Sequence, residues 1–268
     1  IAFKDYKITR GIDGSSWSNP WYKWFLNFFT DPYFGRLLKN TFMISGLTIL
    51  FGFPAPIILA LMINEVKNSA FKRTVQTITY MPYFISMVVM CGLLKTFCMQ
   101  DGLFSQIAMA FGGSGQNFLA NPDYFRTIYV LSDIWSGIGW NSIIYLAALS
   151  SIDQEQYEAA RVDGANRFKQ MIHITLPGLV PTIMVLFILR MGNILNVGYE
   201  KILLLYNSAT YITADVISTY TYRLSFGGSG NPMYSKSTAI GLFNTIINVF
   251  FLLLTNMISK KATDAGLF

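Results

Sequence analysis

The chain has 268 residues, of which 53% are hydrophobic and 16% aromatic, while 13% are charged, about half the ~25% of an ordinary soluble domain. That is a membrane composition, and it excludes a typical soluble globular domain. The formal net charge of +6 would suit nucleic acid, but the basic residues lie in short segments flanking apolar runs rather than on one polar face, so no nucleic-acid partner is expected.

No apolar leader with a small-residue cleavage site follows Ile1, so upstream residues are expected to precede this numbering. Residues 1–36 read as an extracytoplasmic, interfacial segment: PWYKWFLNFFTDPYF is rich in Trp, Tyr and Phe, which favour the headgroup region. Residues 37–268 read as the membrane domain. Charge-free stretches at 40–64, 74–94, 134–152, 174–189 and 237–259 approach the ~20 residues that cross a bilayer core as a helix. They define spans A (37–63), B (78–98), C (127–151), D (176–197) and E (238–258). Lipid forces each backbone to satisfy its own hydrogen bonds, so all are expected to be helices, with Pro54, Pro56 and Pro82 kinking or interrupting A and B. Cys91 and Cys98, seven apart within B, would sit two helical turns apart, beyond disulfide reach, and no metal framework is implied.

Sidedness follows Lys and Arg. The loop after A carries Lys67, Lys72 and Arg73, the loop after C carries Arg161, Arg167 and Lys169, and the tail carries Lys260 and Lys261, whereas the loop 99–125 has no Lys or Arg. The first three are expected to be cytoplasmic. Five spans ending inside put the basic N-terminal segment outside, a conflict that one further upstream span would relieve, giving six. The D–E connection, 198–237, is expected to form a re-entrant or surface cap on the outer side.

Between C and D lies a polar island, EAARVDGANRFKQMIHITLP. Asp153 and Gln156 have capping-box spacing, Asp163-Gly164 supplies a turn, and a second short helix is expected to end before Pro177, giving a helix–turn–helix elbow over 153–176. Ala159, Ala160 and Ala165 keep its surface shallow for another protein's backbone, while Glu158, Arg161 and Asp163 offer charged contacts. An ordinary amphipathic loop is the alternative. The lone His173 reads as a packing or interfacial residue.

Glu158-Ala159-Ala160, Asp163-Gly164-Ala165, Ile174 and Leu176-Pro177 match in type and spacing the EAA-x-x-D-G-A…I-x-L-P signature of bacterial ABC importer permeases. Met171 stands where that family usually has an aromatic. NFFTDPYFGRLLKNT, SDIWSGIGWNSIIYLAALSSID and STYTYRLSF resemble the carbohydrate branch, especially permeases for complex oligosaccharides or polysaccharides. The resemblance implies an all-α, polytopic, type I importer fold in the bacterial cytoplasmic membrane. It further implies a second, related permease, two cytoplasmic ATPase subunits, an extracytoplasmic solute-binding protein and an oligosaccharide substrate. It makes the elbow the helix through which the ATPases act. ATP and magnesium are then expected on the ATPases; this sequence has no G-x-x-x-x-G-K-[ST] and no catalytic or metal-binding cluster.

Charges within spans are costly and point to function. Asp133 and Arg190 fall at similar depth, as an ion pair or as polar contacts to a passing sugar. Sugar binding needs polar groups and flat aromatic surfaces, which Trp135, Trp140, Asn141 and Tyr145 in C, Asn193 and Asn196 in D, and Asn244 and Asn248 in E supply; lipid-facing aromatics and amide links between helices are the alternative. A permease for a peptide or other small solute, and a stand-alone secondary transporter, are the competing functions. The second would show inverted repeats and midplane ion-coupling carboxylates, and the sequence displays neither.

Overall fold

Asx, Ser and Pro residues punctuate the chain, and helices start and stop at them. The computed structural model describes residues 1–227, 232–263 and 266–267; the parts of the expected outer cap at 228–231 and of the tail at 264, 265 and 268 lie outside the described residues. After a 3-10 turn at Ile8–Arg10 come α1 (Lys23–Phe29), α2 (Phe34–Leu47), α3 (Pro54–Glu65) and α4 (Ser69–Tyr80). A second 3-10 turn, Met81–Phe84, leads to α5 (Met87–Cys98) and α6 (Leu103–Ala110). Then follow α7 (Pro122–Ser150), α8 (Gln154–Val162), α9 (Arg167–Gln170) and α10 (Leu176–Met191). The last are α11 (Tyr199–Leu205), α12 (Tyr211–Ala214), α13 (Ile217–Phe226) and α14 (Tyr234–Thr263). β-Bridge pairing among the described residues is confined to two isolated bridges, Lys4 with Trp17 and Lys7 with Gly11.

Four stretches are long and apolar enough to cross a membrane: Phe34–Glu65, Met87–Ala110, Arg167–Met191 and Tyr234–Thr263. The residues expected as a fifth span, C, form α7, whose 29 residues cover about 44 Å at ~1.5 Å per residue, but α7 is not among the stretches apolar enough to cross. It is less apolar than the others because its first half carries Asp123, Arg126 and Asp133.

Three expectations are corrected. Span B is interrupted at Pro82, one of the two outcomes expected there, but its bounds of 78–98 are not those of the apolar stretch. Pro82 has no N–H to continue α4, Ile85 is extended, and the Ser86 hydroxyl accepts from Val89 N–H to start α5 afresh, which moves the apolar crossing stretch to Met87–Ala110. Span D ends at Met191 rather than 197, with Gly192 at its C-terminus, so Asn193 and Asn196 lie in the following turn. Pro54 and Pro56 do not break span A. A π-turn at Thr48–Gly52, closed by Phe53 N–H to the Thr48 carbonyl at 3.2 Å, absorbs the lost donors. The same device recurs at Met171–Thr175, just before Pro177.

The chain divides into two compact units. The first comprises Ile1–Gly46, Ser86–Tyr129 and Asn193–Phe250, and the second Leu47–Ile85, Val130–Gly192 and Phe251–Phe268. Phe28, Leu37, Ile217 and Ile240 form a core of the first, with Phe34 and Phe243 packed edge-on against the Phe28 ring at 5.0 and 5.7 Å. The described part of the D–E connection is built into this unit rather than capping it. Ile202, Leu205 and Ile217 are fully buried, and Asn40 on α2 donates at 2.9 Å to the carbonyls of both Ile212 and Asp215. The N-terminal segment is tied to α14: Tyr6 N–H donates to the Ser235 hydroxyl at 2.9 Å, which donates to the Lys4 carbonyl at 2.6 Å.

The second unit is centred on Ala60, Tyr145, Leu149 and Leu179. Small residues let its helices approach closely. A Cβ at Gly139 on α7 would lie 2.1 Å from the Thr79 carbonyl oxygen of α4, and one at Gly178 would lie 2.7 Å from Ile152 Cδ1.

Candidate functional site

The polar island folds as an elbow within the second unit. Asp153 opens α8, its carboxylate accepting from Glu155 N–H at 2.9 Å. The helix ends at Val162 because Gly164 takes φ +76°, a conformation costly for any residue with a Cβ. There Ala165 N–H donates to the Ala160 carbonyl at 2.8 Å and Gly164 N–H to the Arg161 carbonyl at 3.1 Å. These paired bonds satisfy carbonyls that a helix end otherwise leaves open. The D-G-A triplet is therefore a stop signal with a defined exit direction.

The return arm starts at Asn166, whose side chain caps Lys169 N–H at 2.9 Å, and runs through α9 and the π-turn into α10. Two contacts brace the elbow: Gln170 Nε2 donates to the Ala165 carbonyl at 2.8 Å, and the Tyr157 and Thr175 hydroxyls meet at 3.0 Å. Arg167 lies 3.7 Å from Glu65 at the end of α3, an exposed pair that contributes little by itself. His173 is exposed rather than packed, with Nδ1 3.0 Å from the Lys169 carbonyl.

Glu158, Ala159, Asp163, Gly164 and Pro177 are exposed, whereas Ala160, Ala165, Ile174 and Leu176 are half-buried. Large apolar groups are exposed beside them: Val162 is 88% accessible and Phe168 65%. The elbow thus offers a shallow alanine face, mixed charge and two protruding hydrophobes, the makings of a protein-contact surface. Asn166, Tyr157, Gln170 and Thr175 escaped the sequence reading. Only Asn166 carried a local signal, an Asx residue before R-F-K.

The expected pathway residues separate into groups. Trp135, Trp140 and Asn141 are exposed on α7, and the Trp140 ring stacks on Tyr83 (centroids 4.6 Å, 4° between planes) with Phe84 edge-on at 5.7 Å. Tyr83, missed in the sequence, makes this a broad aromatic platform. Tyr145 is buried in the second unit's core and Asp133 is half-buried in α7. Arg190 is exposed in the last turn of α10. Asn193 and Asn196 bond to each other at 3.1 Å, and the adjacent Leu195 N–H donates at 3.0 Å to the buried Asn248 amide oxygen. The fold thus gathers three expected asparagines at one turn. Asn244, one helical turn before Asn248, has a buried amide oxygen without a partner.

Residues 52–264 match the family described as "Binding-protein-dependent transport system inner membrane component", a match that includes the whole elbow. Protein LplB of Bacillus subtilis (strain 168) is 44% identical over all of this chain and 83% of its own length. The polygalacturonan/rhamnogalacturonan transport system permease protein YteP of the same organism is 41% identical over all of this chain and 82% of its own length. Among solved structures, a chain of a bacterial alginate ABC transporter, in complex with alginate pentasaccharide-bound periplasmic protein, superposes with a TM-score of 0.86. It is 47% identical in sequence, and the match covers 91% of this chain and 84% of that one.

Proposed function

The chain belongs to the family of binding-protein-dependent transport system inner membrane components, and we propose that the elbow around Gly164 is where partner ATPases drive it. It is a multi-pass membrane protein with the type I ABC importer permease fold, and it serves as the permease subunit of an oligosaccharide importer. With a second permease it forms the path along which sugar delivered by an extracytoplasmic binding protein crosses the membrane. Two cytoplasmic ATPase subunits bind ATP with its magnesium.

The observation that carries the coupling role is the exposed α8 surface, tied to the start of α10 by the bond between Tyr157 of α8 and Thr175, while Gln170 of α9 holds the turn at Ala165. A push on Ala159, Val162 or Asp163 has few soft torsions to dissipate in before it reaches the membrane helix. Closure of an ATPase dimer against α8 would therefore displace α10 and switch the path between its inward-open and outward-open forms. The positive-inside pattern places the elbow in the cytoplasm and the starts of α2 and α7 on the outer side. We assign the Tyr83–Trp140 platform to sugar-ring contact, with Asn141 supplying a hydroxyl partner.

Co-purification tests the coupling role. The chain expressed with its ATPase should hold it through membrane solubilisation, and Glu158→Lys should release it while the two permeases stay together. Retention of the ATPase by that variant, with normal uptake, would remove the elbow from the coupling path.

A further inference from the structure

In the first unit, α13 has one face fastened and one left open. On the fastened face Ile217 and Thr219 are fully buried, the Thr219 hydroxyl donates to Asp215 at 2.8 Å, and Arg223 grips the same buried carboxylate through two 2.8 Å hydrogen bonds. The other face carries Ser218, Tyr222 and Phe226, spaced by four residues and so aligned one above the next. The Ser218 hydroxyl donates to the Val197 carbonyl at 3.0 Å, which moors this stripe to the chain just after the Asn193–Asn196 turn. Beyond Ser218 the stripe becomes aromatic. The Tyr222 ring stacks on Tyr199 at the start of α11 (centroids 5.6 Å, 26° between planes), and Phe226 follows Tyr222 at 5.4 Å with 44° between planes. All three rings are exposed.

A file of exposed rings suits either hydrocarbon or a ligand with apolar faces and a polar rim. The margins of this one favour the second. Glu200 is exposed with its carboxylate 3.4 Å from the Tyr199 hydroxyl, Asn196 is exposed three residues before Tyr199, and Thr221 and Ser225 flank Tyr222 and Phe226 along α13. A carboxylate set against lipid tails is costly, whereas carboxylate, amide and phenol groups match the hydroxyls around a sugar. The charge of Glu200 raises the Tyr199 phenol above its ordinary value, so it keeps its proton and stays a donor. The electron-rich face of an aromatic ring attracts the polarised C–H bonds on one side of a pyranose, and each ring-to-ring step here is comparable to the length of one pyranose unit in a chain. The buried Asp215 bonds hold α13 in place beforehand, so little ordering is needed when a ligand arrives.

We infer that Tyr199, Tyr222 and Phe226 form a stacking track on which successive rings of an oligosaccharide lie as it reaches the Asn193–Asn196 turn, with Glu200 accepting from sugar hydroxyls. The ligand class is a chain of pyranose units, recognised through ring faces rather than through charge. This rests on the reading of the chain as an oligosaccharide permease whose D–E connection lies on the outer side. A track of several rings contacts a long chain at more points than a short one, so it favours longer oligosaccharides.

The test uses the assembled importer in lipid vesicles with saturating binding protein, and as probes the disaccharides and pentasaccharides of galacturonan, alginate and amylose. Tyr222→Ala and Phe226→Ala should each slow ATP-driven uptake of an imported pentasaccharide about three- to tenfold, the scale of one aromatic stacking contact, and slow the matching disaccharide less. Tyr222→Phe and Phe226→Tyr keep the rings and should stay within about twofold of the wild type. Attachment of the binding protein, followed by pull-down, should be unchanged in all four variants. Wild-type uptake by both alanine variants, equal slowing of the two chain lengths, or a defect in Tyr222→Phe as large as in Tyr222→Ala would overturn the inference. So would loss of binding-protein attachment in the alanine variants, which would make the stripe a docking surface. Uptake by the unaltered importer separates this from the parent reading: import that the alanine variants do not slow leaves the permease standing and removes the track, and import of no oligosaccharide removes both.

Discussion

The backbone N–H of Ala165 donates to the carbonyl of Ala160 at 2.8 Å, reaching back across Gly164 to close the end of α8. This bond sets the direction in which the chain leaves the contact surface for α10, and it exists only because residue 164 has a positive φ.

Gly164→Ala should therefore change shape rather than packing. An added Cβ would meet nothing within 4 Å, so the subunit should still fold, but holding a left-handed residue with a Cβ costs roughly 1–2 kcal/mol. The expected outcome is a membrane-inserted subunit whose ATP-driven uptake falls about tenfold or more. Uptake assays in vesicles, with membrane levels measured by immunoblot, check it; unimpaired uptake would show that the turn geometry is dispensable.

Gly139→Val should act in the opposite way. The Thr79 carbonyl oxygen lies 2.1 Å from where its Cβ would be, so α4 and α7 must separate, at a cost of about 1–3 kcal/mol or more. The melting temperature of the detergent-solubilised subunit should drop clearly. Gly35→Ala, where an added Cβ meets nothing within 4 Å, should leave it unchanged. Equal behaviour of the two variants would refute the close-approach argument.

Asp31 makes stability depend on acid pH. Burial raises its pKa, but hydrogen bonds from Lys236 Nζ at 2.6 Å, Tyr220 Oη at 2.5 Å and Tyr33 N–H at 2.9 Å outweigh it and hold the carboxyl below its ordinary value of 3.8. A group whose pKa is depressed by folding contributes stability above its unfolded pKa and loses it as pH falls through the folded one. The wild-type subunit should thus lose stability only below about pH 4, whereas Asp31→Asn should be less stable at neutral pH by about 3–5 kcal/mol, because Lys236 is left buried and unpaired. Melting curves across pH check both. A variant matching wild type at pH 7 would contradict the assignment.

Trp140→Ala should raise the apparent KM for oligosaccharide several-fold with little change in basal ATPase activity of the complex, and Trp140→Phe should recover much of the loss. The ring stacks on Tyr83 at 4.6 Å, and such pairs contribute about 0.5–1.5 kcal/mol beyond burial. A fall in membrane level without a KM change would instead make the stack purely structural.

What the sequence revealed and what it hid divide on physical lines. The elbow was readable because its signals are local: Asp153 caps, Gly164 turns, and no distant contact is needed to place either. The apolar runs located A and E well, but apolarity counts residues and does not register donors, so the restart of B at Ser86 and the end of D at Gly192 were displaced. The connection from 198 reads in sequence as a re-entrant or surface cap. Its burial depends on Asn40, more than 170 residues away, accepting the role of partner to the Ile212 and Asp215 carbonyls, and no local pattern announces that. Tyr83 was passed over for the same reason: its partner Trp140 lies on another helix.

The most direct test of the coupling claim is photo-crosslinking from a cysteine at Val162, which is 88% exposed while the native Cys91 and Cys98 are buried. In inverted vesicles carrying the assembled complex, a thiol-linked photoprobe there should join this chain to the ATPase subunit, with a yield that changes on adding ATP. No adduct with the ATPase, or labelling of that cysteine by a membrane-impermeant reagent from outside intact cells, would contradict the account.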